Sequence, residues 1–375
     1  MKCRFLLLYI FILLTSCQKK PHVNTLFNEV SFLSKKSTTQ LSQLMSDSIL
    51  ITPLETVDES ILGKINKIRK YKNEFYVLSN DQWIFRFDEK GKYVSSLKKR
   101  GSAPDEYTYI NDFDVYEIDG INEVWVADNH FIKIYNAEDF TFRRKINLPF
   151  IVSKFKRLSK DEILVMNCLN DKSLFVVNEA GKVVSEALDK EVPYLLYRAV
   201  QFKNYSSDLC LFQLGISNDY VAYDLRNKSF EYGRFFDEDN PLVSKKELCG
   251  LFDKYGQGFI MNFKDYTYIQ SYFYANGNTW FYIKDKEKKY ITKISPDKSS
   301  LSAMIYPHCD VRNDLFHIND FNFLTTLGFG ESDNSLLLYM EVSSLEETPD
   351  SITLKNGQKI GIKEEDNPVI IEFLS

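Results

Sequence analysis

Between residues 64 and 97 the apolar and polar positions fall into four short runs parted by turn residues. Phe75-Tyr76-Val77-Leu78 is apolar throughout, and Trp83, Phe85 and Phe87 alternate with Ile84 and Arg86, the period of a strand. Ser79-Asn80-Asp81-Gln82 lies between them. Asn and Asp bond their own backbone and tolerate positive φ, so this stretch predicts a hairpin turn. Asp88-Glu89-Lys90-Gly91-Lys92 follows, with Asp first and Gly fourth. That order predicts a type I turn closed by a left-handed glycine, after which Tyr93-Val94 opens a fourth strand.

The same plan recurs. Val124 to Ala127, Asp128-Asn129 and Phe131 to Tyr135 form a second unit. A third runs through Ile163 to Met166, Asn170-Asp171, Leu174 to Val177 and Asn178-Glu179-Ala180-Gly181-Lys182. A fourth runs through Leu209 to Phe212, Asn218-Asp219, Tyr220 to Tyr223 and Asp224-Leu225-Arg226-Asn227-Lys228, with Asn227 where the others have glycine. Trp280 to Ile283 with Tyr290 to Thr292, and Leu336 to Tyr339 with Val369 to Ile371, supply a fifth and a sixth. The spacing, about 40 to 70 residues, is near that of four-stranded propeller blades. One such unit cannot bury both faces of its sheet, so the units must stack. The expectation is an all-β, six-bladed β-propeller of four-stranded antiparallel blades. A β-sandwich gives no reason for turn chemistry repeated at matching places.

The ends of the chain refine this. Ser46 to Leu54 reads as an extended strand ending at Pro53, within an N-terminal segment, residues 28–54, expected to complete the last blade beside Val369 to Phe373. Residues 1–16 read as an export signal: Lys2 and Arg4, then an apolar core from Phe5 to Leu14 too short to span a bilayer. Leu14-Thr15-Ser16-Cys17 resembles the bacterial lipobox, which makes Cys17 the expected lipidation site. The domain plan is then a signal peptide over 1–16, a lipidated tether over 17–24 and the propeller over 25–375. Loss of Lys2 and Arg4 with the signal takes the formal charge from −5 to −7, which argues against a nucleic-acid partner.

Several segments carry a family resemblance: Pro53-Leu54-Glu55-Thr56, Phe87 to Lys92, Gly101-Ser102-Ala103-Pro104-Asp105-Glu106-Tyr107, and Glu365-Asp366-Asn367-Pro368-Val369. Together they resemble the six-bladed β-propeller lipoproteins of Gram-negative bacteria, relatives of NHL-type and TolB-like propellers. Ala103 stands where that family's loop has its second glycine. The resemblance implies the fold and the lipoprotein character; the family's activity is largely undefined.

Two segments break the blade pattern. In residues 240–255, Ser244-Lys245-Lys246-Glu247 has the spacing of a capping box, and Leu248, Leu251 and Phe252 form one stripe, which predicts a short helix. Residues 343–365 read as a polar insertion with a hairpin turn at Lys355-Asn356-Gly357-Gln358.

Candidate chemistry is sparse. His22, His130, His308 and His317 are not at metal-ligand spacings, and neither a metal nor a cofactor is expected. Cys168, Cys210, Cys249 and Cys309 contain no CxxC; an exported chain permits disulfides, with three pairings open, but the reading preferred is buried free thiols. Asp112, Asp114, Asp119 and Glu123 surround a strand and turn and read as mostly solvated. The 29 Phe and 23 Tyr belong chiefly to packed blade faces.

Topology adds one inference. In an antiparallel meander the second-to-third turns and the blade-to-blade loops share a face. That face would carry the candidate ligand-binding residues Arg100, Asp105, Glu106, Tyr107, Asp128, His130, Asp171 and Asp219. The functional expectation is a non-enzymatic binding or scaffolding lipoprotein of the cell envelope, anchored to a membrane by its lipid and engaging an envelope protein, peptide or glycan. The alternative is a hydrolase or lyase acting on carbohydrate at the channel mouth.

Overall fold

The run Phe75 to Leu78 is apolar without alternation because its strand is buried on both sides. In a computed structural model of the chain, Phe75 and Val77 pack towards Leu337 and Ile370 of the last blade, while Tyr76 and Leu78 pack towards Phe113, Val115 and Val126 of the next. The structure describes residues 24–28, 38–167, 170–189, 202–317, 327–333, 335–344 and 351–374. The signal over 1–16, Cys17, most of the tether and Cys168 lie outside the described residues.

Six blades surround one axis. Blade 1 comprises Ile65–Tyr71, Glu74–Ser79, Ile84–Phe87 and Tyr93–Leu97. Blade 2 comprises Asp112–Ile118, Ile121–Asp128, Phe131–Asn136 and Phe142–Asn147. Blade 3 comprises Lys154–Arg157, Ile163–Met166, Lys172–Val177 and Val183–Asp189. Blade 4 has Lys203–Asn204, Leu209–Gln213, Asp219–Asp224 and Ser229–Phe236. Blade 5 has Thr267–Ala275, Asn278–Asp285, Lys288–Ile294 and Ser300–Tyr306. In blade 6, Leu327–Phe329, Leu336–Met340 and Val369–Phe373 are completed by the N-terminal strand Ile49–Pro53, paired from Ile49↔Phe373 to Pro53↔Val369. The expected closure of the last blade is thus observed, and it joins the two ends of the propeller. A second N-terminal strand, Asn24–Phe27, runs parallel to Ser229–Phe236 and covers the outer edge of blade 4.

The described core divides into six apolar clusters, one in each junction between neighbouring blades. Each fully buried Phe, Leu or Ile in them contributes about 1.5–3 kcal/mol of transfer free energy.

The repeated turn has two causes. Asp88 Oδ1 accepts from Lys90 N and Lys92 N, and Gly91 takes φ +77°. A Cβ at Gly91 would also lie 2.1 Å from Pro53 O, and one at Gly181 would lie 1.9 Å from Asn147 O. Glycine therefore serves both the left-handed turn and the close approach of a neighbouring blade's outer strand. Two readings shift by one residue. In blade 4 the positive φ falls on Lys228, not Asn227, whose amide and side chain instead bond Asp224. In blade 1 it falls on Gln82.

The predicted helix forms over Lys245–Tyr255, with Glu247 N donating to Ser244 Oγ and Ser244 N to Glu247 Oε2. It continues as a 3-10 stretch, Gly256–Asp265, and packs Leu248, Leu251, Phe259 and Phe263 into the junction of blades 3 and 4. The late insertion forms the expected hairpin, Ser351–Leu354 with Lys359–Gly361 around Gly357 at φ +85°.

Candidate functional site

The first strand of each blade lines the axis. These strands carry charges two residues apart: Lys67 and Arg69, Asp112 and Asp114, Lys154 and Lys156. A period of two puts each pair on one side of its strand. Blade 4 adds Lys203, and the connection after blade 6's first strand adds Glu331 and Asp333.

Side chains from different blades meet across the channel. Lys67 Nζ lies 2.8 Å from Asp112 Oδ1 and 3.3 Å from Glu331 Oε2, and Glu331 Oε1 lies 3.2 Å from Lys203 Nζ. Arg69 bridges Asp114 and Asp333, each at 2.7 Å. Tyr116 Oη donates to Asp114 Oδ2. Backbone pairing fixes the geometry, since Glu331 N donates to Ile68 O and Lys70 N to Glu331 O.

The pairing sets the ionisation. Burial disfavours both carboxylates, but Arg69 and Lys67 outweigh it at Asp114, and Lys203, Lys67 and Arg69 outweigh it at Glu331. Asp114 is held below, and Glu331 well below, its ordinary value. Burial likewise opposes the charge on Lys67, yet Asp112, Glu331 and Asp114 raise its pKa. Lys203 behaves differently. Burial, with Lys67 and Lys156 nearby, pushes its ammonium below the ordinary value despite Glu331.

Cavities lie at both ends of the axis and between them. Where the inner strands begin, a cavity of about 550 Å³ is lined by Asn66, Lys67, Tyr109, Asn111, Asp112 and Lys154. Where they end, a cavity of about 420 Å³ is lined by Arg69, Lys156, Lys203, Phe273, Tyr274 and Asp333, among others. A smaller one of about 190 Å³ joins the waist around Lys67, Lys203 and Glu331. The first end is the loop face singled out from the sequence; the second is the opposite, turn face.

On the loop face several candidate residues are brought together as a clamp. Tyr107 is fully buried and donates to Gln82 O and Leu97 O. Glu106 accepts from Ala103 N, and its carboxylate occupies the place a Cβ on Gly101 would take, 1.9 Å from Oε2. Ala103 needs no positive φ. Asp128 is buried, pairs with Lys133 at 3.1 Å and accepts from Thr108 Oγ1 at 2.6 Å. Lys133 also donates to Glu106 O, and Tyr135 Oη donates to Asp105 O. Asp219 accepts from Lys245 N at 2.6 Å and pairs with Arg234, holding the start of the helix. The side chains of Arg100, His130 and Asp171 are exposed, and that of Asp105 is half-exposed beside Lys99.

The reading of Asp112, Asp114 and Glu123 as solvated is corrected. All three are buried, and Glu123 is ion-paired to Arg143 and Arg144. Only Asp119, in a turn at φ +51°, is exposed as expected. Lys67, Arg69, Lys156, Lys203 and Glu331 went unnoticed in the sequence. Their one signal was charge at alternate positions of short first strands. Cys210 is a buried free thiol whose pKa burial pushes up to about 11, and Cys309 is exposed. Among the described residues no His, Cys, Asp and Glu group could hold a metal ion.

Residues 25–373 match the family described as Domain of unknown function (DUF4934). Among solved structures the chain is similar to a candidate exported protein of Bacteroides fragilis NCTC 9343. The two are 15% identical over 92% of this chain and 98% of that one, with a TM-score of 0.67. It is also similar to a member of the DUF4221 family from Bacteroides vulgatus ATCC 8482, at 9% identity over 88% of this chain and 96% of that one, with a TM-score of 0.48. No curated protein matches it.

Proposed function

The chain belongs to the DUF4934 family, and from that premise we propose that it is a non-enzymatic binding lipoprotein of the cell envelope that takes its ligand in the axial channel. The observation that carries this reading is the state of the channel carboxylates. A carbohydrate hydrolase needs one carboxyl kept protonated to serve as general acid. Asp114 and Glu331 are held the other way, ionised by Arg69, Lys67 and Lys203. Asp112 and Asp333 are likewise tied to cations, at 2.8 and 2.7 Å. Such a wall orients and selects a polar ligand; neither Asp114 nor Glu331 is held protonated as a general acid would be.

The address rests on the signal over residues 1–16 and on Cys17, and the likeness in fold to a candidate exported protein goes with it. The ligand classes are a glycan, a peptide or a segment of an envelope protein. Exposed Arg100, His130 and Asp171, with half-exposed Asp105, are the contacts offered to a protein partner, because they share the loop face with the larger cavity.

Two measurements test the reading. Metabolic labelling with an alkyne fatty acid should mark the wild type and leave Cys17→Ser unlabelled and released from the membrane; equal labelling of both would remove the anchor. Incubation with envelope oligosaccharides and peptides should raise the thermal midpoint without consuming them, because a ligand that binds only the folded state stabilises it. Turnover would replace the binding reading with the hydrolase or lyase.

A further inference from the structure

The two ends of the channel differ in how completely their charges are matched. At the waist each cation has a carboxylate within about 3.3 Å. At the turn face Lys156 lines the 420 Å³ cavity, and no carboxylate among the described residues is in ion-pair contact with it; Asp114 and Glu331 act on it through space. Lys203 lines the same cavity and shares its one carboxylate, Glu331, with Lys67. Two ammonium groups thus face one polar space, while Glu331 is shared with Lys67 and Asp114 and Asp333 are paired with Arg69.

Such an arrangement is unfavourable when the space holds only water. An anion placed between the two ammonium groups relieves their repulsion and favours the charge that burial opposes at Lys203. The remaining lining defines the rest of the ligand. Phe273 and Tyr274 give the lining aromatic edges, and Ser332 and Ser335 add hydroxyl groups. Glu331 and Asp333 in the same lining disfavour a dianion such as a phosphate, because a second negative charge would face them. The volume is that of a small-molecule site.

We propose that the turn-face cavity is a carboxylate site, in which Lys156 and Lys203 hold the carboxylate of a small organic acid whose ring or apolar body lies against Phe273 and Tyr274. The proposal rests on the reading of the chain as a binding protein and adds the ligand's chemistry. An acidic sugar and the C-terminus of a peptide share that chemistry.

Calorimetric titration of the full chain separates these sources. The probes are galacturonate and N-acetylalanine, each paired with its uncharged counterpart, galactose and N-acetylalaninamide. One acid is expected to bind at least about tenfold more tightly than its counterpart. Lys156→Met is expected to weaken it about tenfold and Lys156→Arg to restore it, while Lys154→Met, at the other end, changes it less than about twofold. The thermal midpoint of Lys156→Met without ligand, unchanged from wild type, shows that the loss is not unfolding. Equal binding of acid and uncharged counterpart overturns the carboxylate site and leaves the binding protein standing. So does full affinity in Lys156→Met. Binding of neither acid up to about 50 mM overturns the site, and the binding reading is then decided separately by the oligosaccharide and peptide incubation.

Discussion

The loop Arg100 to Tyr107 and the wall of the axial channel are both rich in charge, and they use it in different ways. In the loop, Glu106, Tyr107 and the neighbouring Asp128 turn inward: their polar atoms cap backbone amides, satisfy buried carbonyls and pair with Lys133. On the channel wall, charges from four blades meet across the axis, and Lys156 faces the turn-face cavity without a carboxylate in contact among the described residues. A polar motif that looks functional in a sequence can be architecture, and a Lys-x-Lys on a short strand can face the channel.

The comparison can be broken most forcefully at Glu331. Replacing it by Gln leaves Lys67 and Lys203 facing each other in a partly buried space, a change of the kind that costs about 3–5 kcal/mol. Urea unfolding should show the loss at neutral pH. The sign with pH follows from depressed pKa values. Stability from Glu331 and Asp114 is fully present above their unfolded-state values, 4.5 and 3.8, and disappears as the pH falls through the lower folded-state values. Glu331→Gln should therefore have a shallower acid limb than wild type. Parallel limbs would mean that Glu331 carries no linked stability.

The next effect belongs to the loop. Tyr107→Phe leaves the buried carbonyls of Gln82 and Leu97 without their donor and should cost about 1–3 kcal/mol in the same assay, with no change in ligand affinity. Gly101→Ala should cost less, about 1 kcal/mol, because the flexible Glu106 can swing away at the expense of its bond to Ala103 N. The double variant Gly101→Ala/Glu106→Ala should then be no worse than Glu106→Ala alone. Additive losses would show that the two positions are not coupled through this contact. Smallest are Asp105→Ala and His130→Ala, half-exposed and exposed on the loop face, which should leave both the midpoint and the affinity for a small acid unchanged. A fall in that affinity would move the ligand to the loop face.

The fold was legible because blades leave strong local traces. Phe75-Tyr76-Val77-Leu78 is apolar at every position because successive side chains pack against two different blades. Asp88 to Lys92 and Asn178 to Lys182 repeat because a left-handed residue is needed and a neighbouring backbone lies too close for a Cβ. Ser244 and Glu247 announced the helix through a contact only three residues long. The channel wall was not legible for the opposite reason. Lys67 meets Glu331 across 264 residues of chain, and nothing local distinguishes Asp112 or Asp114 from a solvated carboxylate. Blade 4 contributes only Lys203–Asn204 as its inner strand, too short to show a period. The loop-face candidates were found because turn chemistry is local, and four of the eight, Glu106, Tyr107, Asp128 and Asp219, bond within the loops and turns themselves.

The most direct test of the central claim is amine footprinting by mass spectrometry, with the full chain labelled in the presence and absence of a mixture of envelope oligosaccharides and peptides. The account predicts that ligand protects Lys156 and Lys203 from acylation while Lys99, beside Asp105 on the loop face, labels as before. Protection at Lys99 with Lys156 and Lys203 still reactive would contradict it and place the site on the opposite face of the propeller.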